Sequence, residues 1–245
     1  MKKIIINADD YGINTSKTHA ILKCFENGWI DTATIMCNIL ESGCFEYAIA
    51  SIKKTIYSNQ IGIHYCLSEG KPLTKKMRES SYFCDSEGNF RRFNRNKILS
   101  RQNRLLLFDE LSAQTERFLN TGLEINHIDS HHHIHTGLGM IGTFKRVMRK
   151  YGIKKIRISR NIYSKPSFFK QLTKTIFNFI FIDNKVKFSK YFCSIEDAIH
   201  INIKDKTEIM CHPDLNEHQE IVDNKGKGKE QVLLADYMSK IQRED

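Results

Sequence analysis

The sequence predicts a single α/β domain folded as a distorted TIM-like (β/α) barrel. Three observations carry that expectation. Short β-branched runs alternate with amphipathic stretches along the chain, the pattern of βαβ units around a parallel sheet. The 245 residues suffice for one large core, with only three prolines and no linker-like tract to divide them. About seven strand–helix units fit a barrel better than an open doubly wound sheet, which is the alternative.

The elements follow in order. Residues 2–8 read as a short buried strand ended by a polar turn. Asn14, Thr15 and Ser16 offer N-caps for a helix to about 27, with Gly28 as its stop. A strand is expected at 32–37, a short helix at 44–53 and a third strand at 61–67. Residues 68–104 are polar, basic and weakly periodic, and read as a long loop or insertion. A helix at 108–120, closed by Gly122, leads to a strand at 124–130. A helix at 143–151, closed by Gly152, leads to a strand at 154–158. A helix near 166–180, strands at 200–203 and 208–211, a basic loop at 223–229 and a helix at 231–240 complete the pattern.

Composition narrows the class. Apolar residues at 40% and charged residues at 27% describe a globular chain and exclude disorder. Lys and Arg total 38 against 28 Asp and Glu, a formal charge of +10. The basic residues are spread along the chain, and no aromatic-interleaved basic stripe marks a nucleic-acid surface. The apolar run after Lys2 and Lys3 is too short for a signal peptide. No stretch approaches the roughly 18 apolar residues of a membrane span. A cytoplasmic protein with neither nucleic-acid nor membrane partner is expected. Seven cysteines, an odd number without a CxxC pair, argue against a disulfide scaffold or a structural zinc knuckle. They are expected reduced, with Cys37, Cys66 and Cys211 as small buried hydrophobes.

Four clusters carry chemistry, each at the C-terminal end of an expected strand, where parallel α/β folds build their sites. The first is Asn7-Ala8-Asp9-Asp10-Tyr11-Gly12. Adjacent carboxylates on a strand point to different sides, so one can ligate a metal and the other act as a base; a helix-capping turn rich in Asp is the plainer explanation. The second is Gly62-Ile63-His64-Tyr65-Cys66-Leu67, followed by a tight turn at Glu69 to Pro72. An imidazole in an apolar strand needs a hydrogen bond or a metal. The third is Asn126 to His135, with five imidazoles in nine residues. A strand period of two would place His127, Asp129, His131, His133 and His135 on one side. Not all of these can bind one ion, so some are bystanders or substrate contacts. The fourth is Met210-Cys211-His212-Pro213-Asp214, where His212 suits either a general acid or an ordinary strand-end turn. Arg157, on the fifth expected strand, suits equally a carboxylate at the strand ends or a surface ion pair.

The strings NADDYG, GIHYCLSEGKPL, HIDSHHHIH and MCHPD, in this order between residue 3 and about 214, resemble the YdjC-like carbohydrate deacetylases, which include chitooligosaccharide deacetylase. The resemblance implies the distorted barrel, a divalent metal and removal of acetyl groups from N-acetylated sugars. It implies Asp10, His64 and His131 as metal ligands, Asp9 as catalytic base and His212 as the acid that protonates the leaving amine. Asp129, His133, His135, Arg157 and Glu69 are then expected as substrate contacts or as groups that orient the ligands. Ligand type suits Zn²⁺, and the family is commonly assigned Mg²⁺; one ion of either kind is expected. Relatives often pair, so a homodimer is open. Two departures stand out. The family continues past its last helix into a closing strand, whereas this chain ends at Gln242-Arg243-Glu244-Asp245, which leaves barrel closure open. The basic segment at 68–104 matches no family motif, and sugar specificity is open with it. A metal phosphohydrolase and a non-catalytic carbohydrate-binding barrel are the competing readings.

Overall fold

Alternation with period two organises the sheet. One set of strand residues is apolar: Ile6 and Ala8, Ala33 and Ile35, Ile61 and Ile63, Ile128, Ile209 and Cys211 are all fully buried. The other set is polar and equally buried: Asn7 and Asp9, Thr32 and Thr34, His64, Asp129 and Glu208. Strands buried on both faces are typical of parallel sheets covered by helices.

The computed structural model describes residues 4–39, 43–165, 168–224 and 231–241. Strands β1 (Ile4–Tyr11), β2 (Thr32–Ile35), β3 (Ile61–Tyr65), β4 (Ile128–Ser130), β5 (Tyr191–Ser194) and β6 (Thr207–Cys211) form one sheet in the order β4-β3-β2-β1-β6-β5. Every pairing in it is parallel. The sheet curls into a half-barrel. Ile156 bridges Ile128 of β4 on one side and Lys187, just ahead of β5, on the other. The strand expected at 154–158 is reduced to this point of pairing.

The helices are α1 (Thr15–Glu26), α2 (Cys44–Ile52), α3 (Lys75–Arg78), α4 (Arg101–Leu119), α5 (Ile141–Tyr151), α6 (Phe168–Phe181), α7 (Ile195–Ala198) and α8 (Leu234–Lys240). Asn14 caps α1 through its side chain, and Gly152 ends α5 in the left-handed conformation, as the sequence implies. Ser100 caps α4 by accepting from Asn103 N–H, so that helix starts seven residues before the expected 108. The Leu105-Leu106-Leu107-Phe108 run masks the helical period there.

Two expectations are corrected. Residues 200–203 form no strand; the edge beside β6 is taken by β5, which pairs Tyr191 to Ser194 with Thr207 to Met210. The sequence HINI alternates like a strand, but Ser194 caps α7 by accepting from Asp197 N–H, and the chain turns away from the sheet there. Residues 68–104 are more than a loop. Met77, Phe83, Cys84, Phe90 and Leu99 join the main core, and buried Glu110 of α4 accepts from the backbone N–H groups of Leu73 and Thr74.

Strands β7 (Pro213–Leu215), β8 (Ile221–Asp223) and β9 (Val232–Leu233) make a small antiparallel sheet beyond β6 that the sequence reading lacks. Residues 225–229 of the expected basic loop, the first residues of the strand and helix expected at 2–8 and 166–180, and the 242–245 end lie outside the described residues. All seven cysteines are buried and free. No helix among the described residues is long and apolar enough to cross a membrane.

Candidate metal centre

The site begins with a β-bulge. Ala8 pairs with Ala33 and Tyr11 with Ile35, so β1 carries one extra residue across Asp9–Asp10. Asp10 takes a left-handed φ of 68°. The bulge turns both carboxylates toward one cleft of about 590 Å³, whereas a regular strand would set them on opposite faces, as the sequence reading had them.

Asp10 is the focus of the upper layer. Its Oδ1 lies 3.2 Å from His64 Nε2 and 3.0 Å from His131 Nδ1, and its Oδ2 lies 3.8 Å from Lys17 Nζ. One donor atom from each of Asp10, His64 and His131 falls within 4.8 Å of the others. His64 is aimed from behind: its Nδ1 donates to Asp129 Oδ1 at 2.7 Å, which leaves Nε2 for the cleft. A carboxylate that fixes the tautomer of an imidazole in this way is the usual support of a metal-ligating histidine. Burial opposes the charged form of His64, but Asp129 and Asp10 outweigh it and push its pKa up to about 10. His131 is raised to about 9 against burial by Asp10 and Glu69. Asp10 itself is held well below the usual carboxylate range, its burial outweighed by bonds from His131 and His64. Two imidazoles and a carboxylate gathered this tightly fit a divalent cation, which would replace the two imidazolium protons.

Beneath lies a layer of buried charge. Arg157, fully buried, donates from Nη1 and Nη2 to both oxygens of Asp9 at 2.7 Å. The same guanidinium reaches Asp129 Oδ2 at 2.6 Å and Glu208 Oε1 at 2.6 Å. Asn7 donates to Asp9 Oδ1 at 2.8 Å, and Thr34 donates to Asp129 Oδ2 at 3.2 Å. Burial would raise the Asp9 carboxyl, but Arg157 overrides it and keeps Asp9 ionised far into acid. One cation cannot neutralise three carboxylates. Glu208 absorbs the excess: burial raises its pKa to about 7, against the pull of Arg157.

The cleft brings together Asp9, Asp10, His64, Glu69, His131, His133 and His212 of the residues expected from sequence. Glu69 Oε1 stands 3.3 Å from His131 Nε2. His212 stands at the start of the small sheet, where its backbone N–H donates to Asp223 Oδ1 at 2.6 Å. Its Nδ1 and that of His133 have no hydrogen-bond partner among the described residues. Asp129 and Arg157 lie under the floor.

The histidine run departs from the strand alternation expected for it. The extended chain stops at Ser130, and residues His131–Thr136 form a tight, kinked turn in which His132 and His133 both take left-handed φ, 54° and 52°. His135 is carried away from the cleft: it is fully buried, with Nδ1 at Ser130 Oγ and Nε2 at the Arg157 carbonyl. His127 packs below, stacked on Phe188 at 3.8 Å.

Sequence reasoning missed Glu208, Lys17, Ser194, Glu196 and Asn224. Glu208 was visible as a lone acid in an apolar strand, and Asn7 and Thr34 share its period. Lys17, Ser194, Glu196 and Asn224 line the cleft from elements that no motif marks. Arg160 also lines it, paired with Asp197.

Comparisons with known proteins identify the family. Residues 3–244 match the family described as YdjC-like protein. A carbohydrate deacetylase of Clostridium beijerinckii is 30% identical over 217 residues, which are 86% of this chain and 81% of that protein. A carbohydrate deacetylase of Halalkalibacterium halodurans is 28% identical over 241 residues, 95% of each. A crystal structure from Enterococcus faecalis V583, of a protein assigned to cellobiose-phosphate cleavage, superposes with a TM-score of 0.68 at 21% identity, covering 89% of this chain and 83% of that one. At that identity the likeness concerns the fold.

Proposed function

The chain belongs to the YdjC-like family, and from that premise we propose that it hydrolyses the acetamide of N-acetylated sugars, of the chitooligosaccharide type, with one divalent ion. The observation that carries the reading is the convergence of Asp10, His64 and His131 on one point beside a carboxylate, Asp9, whose orientation Arg157 fixes. The Ile156 bridges, to β4 at one sheet edge and to Lys187 in the chain leading into β5 at the other, support reading the half-barrel as a distorted (β/α) barrel.

In this reading Asp10, His64 and His131 hold the ion, zinc or magnesium, which would polarise the acetyl carbonyl and a water molecule. Asp9 accepts the proton of the attacking water, its lone pairs oriented by the clamp from Arg157. His212 lines the same cleft and delivers a proton to the departing amine. Asp129 keeps the His64 lone pair turned inward. Lys17 and Arg160 add positive charge to a cleft that receives an acetate product.

The test is acetate release from diacetylchitobiose by metal-stripped protein, with and without added Zn²⁺ or Mg²⁺. Metal-dependent acetate is expected. Folded protein that binds one ion per chain and releases none would sink the substrate assignment and favour a phosphohydrolase. Asp9→Asn should lower turnover by about 10²–10⁴-fold, the usual worth of a positioned base, with metal content unchanged. Wild-type turnover in that variant would remove Asp9 from its role.

A further inference from the structure

Two successive non-glycine residues in the left-handed region are costly, on the order of 1 kcal/mol each or more, and persist only where neighbours hold them. The pair His132–His133 directly follows His131. What holds it comes from the 68–104 segment. Arg95 Nη1 donates to the carbonyl of His132 at 2.8 Å and to that of His133 at 2.5 Å, so one nitrogen gathers both carbonyls of the turn. Ser68 Oγ lies 3.0 Å from His132 Nδ1, and Glu69 faces His131. The segment therefore holds the first half of the histidine turn, at His131, His132 and His133.

The grip is built into the backbone as well. Gly139 N–H donates to the Arg95 carbonyl at 3.0 Å, and Leu138 N–H donates to Asn96 Oδ1 at 3.3 Å. A Cβ on Gly137 would lie 2.4 Å from the Arg95 carbonyl oxygen, and one on Gly139 would lie 2.0 Å from that of Lys97. The two glycines of Thr136-Gly137-Leu138-Gly139 let residues 95–97 lie directly against the turn.

We infer that Arg95 is a positioning residue of the metal centre: by pinning the His132 and His133 carbonyls it sets the place of the His131 imidazole, and residues 95–97 are part of the ion's cradle. The inference rests on the ligand set proposed above. Arg95 touches neither the ligand atoms nor, in this role, the substrate, so its removal acts on metal affinity.

Zn²⁺ affinity of the full-length protein, measured by competition with a chelating dye, tests it. Arg95→Ala is expected to weaken binding about 10–100-fold, the range for groups that orient ligands. Arg95→Lys should recover part of this, since a single donor makes both bonds. Gly137→Ala should weaken binding as well, and the double variant should lose less than the sum of the two. Ile98→Ser, at a position of the same segment that is 83% exposed, should bind as wild type does. At saturating Zn²⁺, Arg95→Ala should regain turnover with an unchanged KM for diacetylchitobiose, which a substrate-binding arginine would not do. Thermal melting of each metal-free variant separates loss of fold from loss of affinity. Wild-type Zn²⁺ affinity in folded Arg95→Ala would overturn the inference and leave the metal centre standing. Failure of the wild-type protein to bind any divalent ion would overturn both.

Discussion

The floor and the wall of the cleft are built in opposite ways. The floor comes from consecutive parallel strands, and its backbone is regular wherever His64, Asp129 and Glu208 stand. Its strain is electrostatic: one buried guanidinium among three buried carboxylates. The wall comes from the His131–Thr136 turn, where the charges are fewer and the strain lies in the backbone, at two left-handed residues held from outside by Arg95. A strand fixes where a side chain points but cannot choose what is buried beside it. A turn can aim a ligand from any direction, yet needs a second segment to keep it there.

Three changes to the floor sharpen that contrast. The largest effect is expected from Arg157→Met. Removing one partner of a buried ion pair costs about 3–5 kcal/mol, here with three carboxylates left facing one another. Urea unfolding at neutral pH measures it, and a loss under about 1 kcal/mol would show the carboxylates to be neutral or hydrated already. Next is Gly62→Ala. A Cβ there would lie 2.3 Å from the His127 carbonyl oxygen, which cannot move without breaking the pairing of β3 with the chain before β4. The upper part of the usual overpacking range, about 3 kcal/mol, is expected, and an unchanged melting temperature would contradict the close approach.

The smallest effect is a pH dependence. Glu208 is raised from an ordinary 4.5 to about 7 in the fold. The folded protein therefore keeps a proton that the unfolded chain releases. This contribution to stability is complete below about 4.5 and is lost as pH rises through about 7. Glu208→Gln should remove that loss. The difference in unfolding free energy between pH 5 and pH 7 should shrink by on the order of 2 kcal/mol relative to wild type. An equal slope in both proteins would show that Glu208 is not the group that holds this proton.

The same contrast explains what the sequence made legible. His64, Asp129 and the β6 strand before His212 lie on strands whose period of two is written plainly, and His64 and Asp129 fall where that period puts them. Asp9 and Asp10 were identifiable as a pair, but the bulge that sends both into one cleft depends on register with β2, which no local pattern encodes. His135 illustrates the limit. Its spacing from His131 suits a strand, and only the turn, closed by long-range bonds from Arg95, takes it out of the site. Arg95 itself had no signal of its own. It lies in the segment that looked least structured, and its partners are backbone carbonyls, which carry no residue identity. The edge strand β5 was overlooked because Ile201-Asn202-Ile203 alternates as well as Tyr191 to Ser194 does, and occupancy of the β6 edge decides between them.

The left-handed φ of Asp10 bears on how the protein can change over generations. Asp, Asn and Gly are the residue types most at ease in that conformation. Asn and Gly are each one base away from Asp in the genetic code, and neither carries a carboxylate. Glu keeps the carboxylate but meets the backbone less well. Glu is also one base away, so backbone fit decides: the changes best tolerated at this position preserve the bulge while deleting the carboxylate. Folded descendants without this candidate ligand would arise here more readily than descendants with a re-tuned one.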